Sequence, residues 1–121
     1  MKPNSQITLT PLENGIKVTS SGDDPQLFLP AFAKGKQFIL QVVIQSPVVT
    51  PAQLFYLLQG QSSYLEEQSF LLPLKPGKNT IYYRLDSPSL IDPLRFDPSA
   101  AAGDYIIESI TAKALPGSTT P

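Results

Sequence analysis

The segment Asn79-Thr80-Ile81-Tyr82-Tyr83-Arg84-Leu85-Asp86 decides the fold. Ile81, Tyr83 and Leu85 fall on one side of an extended chain, and Thr80, Tyr82 and Arg84 on the other. This period of two is what a strand with one buried face requires. Pro76-Gly77 before it and Ser87-Pro88 after it are turn signals. The same grammar recurs in both directions along the chain.

Upstream, Gln37 to Gln45 is the most apolar segment, rich in β-branched residues and short enough to be a central strand, with Gln41 at a bend or paired to backbone. Gln53 to Leu58 alternates Leu54, Tyr56 and Leu58 against Phe55 and Leu57. Pro47 and Pro51 frame the connection between these two strands. Further upstream, Ile7 and Leu9, a tight turn at Asn14-Gly15, and Ile16 and Val18 describe a hairpin, in which Pro11 marks the first strand as ending early or lying at an edge. Gln26 to Leu29 is a short strand between Pro25 and Pro30, and Ser69 to Leu74 is another, broken by Pro73. Downstream come Leu90 to Phe96, a turn at Asp97-Pro98, and a long strand from Asp104 to Lys113. Its alternation fails at Ile106-Ile107, which predicts a bulge or a strand covered on both faces.

Such a series of short strands predicts an all-β protein, a sandwich or a barrel. Two stacked sheets bury both inner faces where one open sheet cannot. The expectation is a two-sheet antiparallel β-sandwich of jelly-roll type with eight or nine strands, spanning residues 1–114. Residues 115–121, Leu-Pro-Gly-Ser-Thr-Thr-Pro, read as a linker to the remainder of a larger parent chain. The 13 prolines recur too closely for long helical stripes.

The 121 residues fit one domain. Nine basic and ten acidic residues give a net charge of -1, which offers no basic field for nucleic acid or an anionic membrane. The longest apolar run falls well short of the roughly 20 residues a spanning helix needs. Neither a signal peptide nor direct membrane insertion is expected. Cysteine, histidine and tryptophan are all absent, which excludes disulfides, thiol chemistry and imidazole catalysis. No metal and no cofactor is expected.

Gly22-Asp23-Asp24-Pro25-Gln26-Leu27-Phe28-Leu29-Pro30 forms one recognisable segment. Leu94-Arg95-Phe96-Asp97-Pro98, followed by Ala102-Gly103-Asp104-Tyr105-Ile106-Ile107-Glu108-Ser109-Ile110, forms a second. With the Lys75-Pro76-Gly77-Lys78-Asn79 turn between them, they resemble β-sandwich modules attached to bacterial glycosyltransferases and other envelope-polysaccharide proteins. Those modules are similar to galactose-binding-like and carbohydrate-binding jelly rolls. The resemblance implies a non-catalytic accessory module with weak glycan contact, placed outside the cytoplasm or at a membrane through its parent protein. The lack of tryptophan departs from the usual sugar-stacking surface. The alternative is a purely structural or protein-interaction domain with no small-molecule ligand.

Five residues are the candidate ligand contacts. Arg95 can grip a charged sugar, with Asp97 beside it; the plainer role for Asp97 is a turn before Pro98, with Arg95 paired to a neighbouring carboxylate. Tyr82, with Arg84 on the same side of its strand, and Tyr64 in the polar loop Gly60 to Gln68 can offer a stacking surface. Covering strand edges is the plainer role for the tyrosines. Glu66-Glu67 is a solvated pair rather than a glycosidase couple, because adjacent carboxylates rarely face each other across a bond. Asp23-Asp24 suits a hydrogen-bonded turn better than calcium. Lys34-Gly35-Lys36 and Lys75-Pro76-Gly77-Lys78 lack the phosphate-loop pattern and read as solubilising tips.

Overall fold

The computed structural model describes residues 2–4, 6–22, 25–29, 37–87 and 89–114. Asp23-Asp24, Lys34-Gly35-Lys36 and the tail 115–121 lie outside the described residues. Among those described there is no helix and there are ten strands: β1 (Lys2–Pro3), β2 (Ile7–Leu12), β3 (Gly15–Ser20), β4 (Leu27–Leu29), β5 (Gln37–Ser46), β6 (Thr50–Leu58), β7 (Ser69–Leu74), β8 (Gly77–Asp86), β9 (Leu90–Asp97) and β10 (Gly103–Ala114). The strand beyond the expected nine is β1. Its two residues pair with Leu27 and Phe28 and are too short to show any alternation.

The strands form two antiparallel sheets of five, a front sheet in the order β1-β4-β9-β6-β7 and a back sheet in the order β2-β3-β10-β5-β8. From β3 onward the chain follows the eight-strand jelly roll, and β1 and β2 each extend one sheet at its edge. The inner faces are those the alternation assigns. Phe38, Leu40, Val42 and Ile44 of β5 and Ile81, Tyr83 and Leu85 of β8 meet Leu54 of β6 and Leu94 and Phe96 of β9. Tyr83 carries its polar tip into this core, donating its hydroxyl to the Ala52 carbonyl of the opposite sheet at 3.1 Å. Burying a phenol without such a partner would cost on the order of 2 kcal/mol.

Three details differ from the sequence reading. The hairpin turn is Glu13-Asn14, because Leu12 pairs with Gly15, which is already the first residue of β3. Gln41 lies at no bend: it sits half-buried on the outer face of β5, in register with Tyr82 and Thr111. Strand β7 runs through Pro73, which is cross-strand to Pro51, so neither nitrogen is asked for a ladder hydrogen bond within this pair. The predicted bulge is present between Ile107 and Ser109. It moves the inward parity from Tyr105 and Ile107 to Ile110, which packs against the core from the other side of Glu108.

Candidate binding face

The outer face of the front sheet carries a polar and aromatic cluster. Gln53 is cross-strand to Asp97, and Phe55 to Arg95, so β6 and β9 project these four side chains together. On the other flank Gln53 pairs with Leu71 and Phe55 with Ser69 of β7. The β6–β9 register then shifts, with extra residues of β9 around Pro93 facing Tyr56. A proline, having no N–H to give, fits such a bulge.

The loop 59–68 folds over this face and is tied down by its own amides. Gln61 accepts the Leu58 N–H at 2.9 Å, and the Gln61 and Gln68 side chains bond each other at 2.7 and 2.9 Å. Gln68 also donates to the Tyr56 carbonyl. Tyr64 donates its hydroxyl to the Pro93 carbonyl at 2.7 Å, which places its ring against Phe28 and edge-on to Phe55. Burial there pushes the Tyr64 phenol up, an effect the nearby Arg95 partly offsets. Tyr64 is therefore half-buried with its polar end used, a cover on the aromatic cluster more than an open platform.

Arg95 lies over Phe55, its guanidinium carbon 4.3 Å from the ring centroid. It grips Asp97 with both prongs, Nε to Oδ1 at 2.9 Å and the terminal nitrogen to Oδ2 at 2.8 Å. The two side chains are only 17% and 11% exposed. Asp97, two residues along the same strand, is thus one carboxylate paired with Arg95. Beside this pair lies a pocket of about 110 Å³ lined by Gln53, Phe55, Glu66, Leu71, Arg95 and Asp97, among others. Gln53 donates to Glu66 at 3.0 Å and to Ser69 at 2.9 Å, which fixes the amide at the pocket wall.

Tyr82 and Arg84 are elsewhere. They stand on the outer face of the back sheet, where Tyr82 is 58% exposed. Arg84 makes a surface ion pair with Asp86 at 3.5 Å. The five sequence candidates thus separate into Tyr64, Arg95 and Asp97 on one outer face and Tyr82 and Arg84 on the other. Phe55, Gln53 and Leu71 went unmarked in the sequence. Their one signal was that β6 is apolar on both faces, which implies a covered outer side. Among the described residues no group of three or more acidic side chains forms a metal site.

The strand order is that of a two-sheet antiparallel jelly-roll sandwich, a fold found in solved carbohydrate-binding modules. A family 6 carbohydrate-binding module, solved in a dissection of its binding sub-sites, superposes with a TM-score of 0.64 at 11% identity, over 95% of this chain and 88% of that one. A CBM4 structure gives 0.62 at 9% identity, over 90% and 78%. The enzymatically active domain of bacteriophage CBA120 tailspike protein 4 gives 0.58 at 13% identity, where 94% of this chain matches 18% of that one. At these identities the likeness establishes the shared fold. The sequence matches no family model and no curated protein.

Proposed function

We propose that this domain is a non-catalytic glycan-binding module, accessory to a larger bacterial cell-surface or polysaccharide-related protein, and that it takes a neutral sugar on the outer face of the front sheet. The observation that supports this reading is the pocket in which a fixed amide, Gln53, and an exposed carboxylate, Glu66, stand beside the exposed apolar side chain of Leu71. Sugar hydroxyls donate well to carboxylates and amides, while the C–H face of a ring packs on apolar groups. With Arg95 held by Asp97, the pocket offers two carboxylates against one guanidinium, which disfavours an acidic glycan. Catalysis is disfavoured because Arg95 holds both Asp97 oxygens, leaving Glu66 without an open carboxyl partner across the pocket.

Amide shifts titrated with neutral and acidic oligosaccharides test the proposal. Saturable shifts are expected at Gln53, Phe55 and Leu71. Glu66→Ala, an exposed change, is expected to weaken binding about ten-fold without moving the unfolding midpoint. Shifts clustered on Tyr82 and Gln41 instead would move the site to the back sheet. A flat response across the panel would favour a purely structural or interaction domain.

A further inference from the structure

We propose that two copies of this chain pair edge to edge through β7, joining their front sheets into one continuous sheet. Among the described residues β7 has β6 on one side and no strand on the other. Which of its backbone groups face outward follows from the ladder. Tyr56 donates its N–H to the Gln68 carbonyl at 3.2 Å, so the position just before β7 bonds inward to β6. Hydrogen-bonded positions alternate along an antiparallel pair, which turns Phe70, Leu72 and Leu74 inward and leaves Ser69, Leu71 and Pro73 with their backbone groups pointing out. Pro51 opposite Pro73 agrees with this parity, since neither proline can donate.

The outward edge therefore offers N–H groups from Ser69 and Leu71 and carbonyls from Ser69, Leu71 and Pro73. A second copy meets this set when the two-fold axis passes beside Leu71. Each Leu71 then exchanges both bonds with its counterpart, and each Ser69 N–H reaches the Pro73 carbonyl of the other copy. Only the Ser69 carbonyl, at the strand's start, is left to water. In the same register Phe70, 37% exposed, covers Leu72 across the axis.

Charge favours this edge over β8 and suits this partner. β7, Ser-Phe-Leu-Leu-Pro-Leu, has no charged side chain, so its two-fold copy brings no like charges together. Of the other long edges, β8 carries Lys78, Arg84 and Asp86, the charged guard that keeps sheet edges apart, and β2 is uncharged but turns Thr8 and Thr10 to solvent. Exposed apolar surface continues beside it: Leu71 is 59% exposed, and Val49, which lines a hollow with Pro73 and Leu74, is 76% exposed.

Sedimentation equilibrium of the whole chain, without glycan, together with amide exchange at low and high concentration, tests the pairing. A reversible dimer is expected, with exchange at Ser69 and Leu71 slowing as concentration rises while Phe70 and Leu72 stay protected throughout. Leu71→Lys, which sets two ammonium groups beside the axis, is expected to raise the dimer dissociation constant at least about ten-fold. Leu12→Lys, at an exposed position on the opposite edge, is expected to leave it unchanged. A monomer at every concentration overturns the proposal, as does a dimer in which Ser69 and Leu71 exchange freely. If Leu71→Lys fails to fold, the concentration dependence of exchange in the natural chain still decides.

Discussion

At the scale of single residues, the pair formed by Arg95 and Asp97 ties the fold to the candidate site. Its ion pair is largely withdrawn from water, and its guanidinium rests on Phe55, so removing either member leaves the other charge in a poorly solvated place without this partner. Breaking such a pair costs about 2–4 kcal/mol, less than a fully buried one because some solvent still reaches it. Replacing both members with apolar side chains removes both charges together. Arg95→Ala and Asp97→Ala are each expected to lower the urea midpoint strongly. The double change Arg95→Leu with Asp97→Leu is expected to cost less than the sum of the single changes. Additive losses in that cycle would show that the two side chains act separately. At the back of the sandwich, Glu108 is held below the usual carboxylate range by the hydrogen bond from Gln45 and then by Lys78. Its contribution is present above the ordinary glutamate range and fades as pH falls through its lowered value.

At the scale of elements, the turn residues and period-two runs made nearly every strand legible, while the neighbours of each strand were not. Alternation states which side chains share a face, and that was enough to place Tyr83 inside and Tyr82 outside. It says nothing of what lies across a sheet, so it places the hairpin turn at Asn14-Gly15, one residue after its position in the structure, and cannot show the β7 edge. Gly15 shows the difference. Read as half of a turn, it needed only a permissive backbone; in the structure it touches β10, where a Cβ would sit 2.5 Å from the Ile107 carbonyl oxygen beside the bulge. Gly77 has a positive φ of 98° but open space around its Cα. Gly77→Ala is expected to cost about 1 kcal/mol, from backbone strain alone. Gly15→Ala is expected to cost clearly more, on the order of 2–3 kcal/mol, because β3 must move off β10. Urea midpoints of the two variants check this, and equal losses would mean that β3 gives way easily.

At the scale of the whole molecule, the candidate face was only half legible, because the jelly roll sends consecutive strands to opposite sheets. Tyr82 and Arg84 lie in sequence between Tyr64 and Arg95, yet the path from β7 to β8 to β9 crosses the sandwich twice and separates them by its full thickness. With sheets packed about 10 Å apart, no single sugar ring reaches both outer faces. Tyr83 is one of the links between the sheets: it belongs to β8 yet gives its hydroxyl to Ala52 of β6 and sets its ring edge-on to Phe96 of β9. Burial, with the negative charge of Asp97 adding to it, pushes this phenol well above the ordinary tyrosine range. An unfolded tyrosine loses its proton near pH 10. Above that point the unfolded chain gains stability by ionising while the folded chain still holds the proton, so the contribution of Tyr83 is whole below about pH 10 and is lost as pH climbs towards the folded value. Tyr64, raised in the same direction, adds to this alkaline loss. Tyr83→Phe is expected to be weaker by about 1 kcal/mol at neutral pH, from the lost bond to Ala52. It is also expected to lose less stability than the natural chain between about pH 10 and 12, so the two pH profiles converge. Urea unfolding across that range is the measurement; profiles that run parallel would mean that the Tyr83 hydroxyl ionises as easily in the folded sandwich as in water.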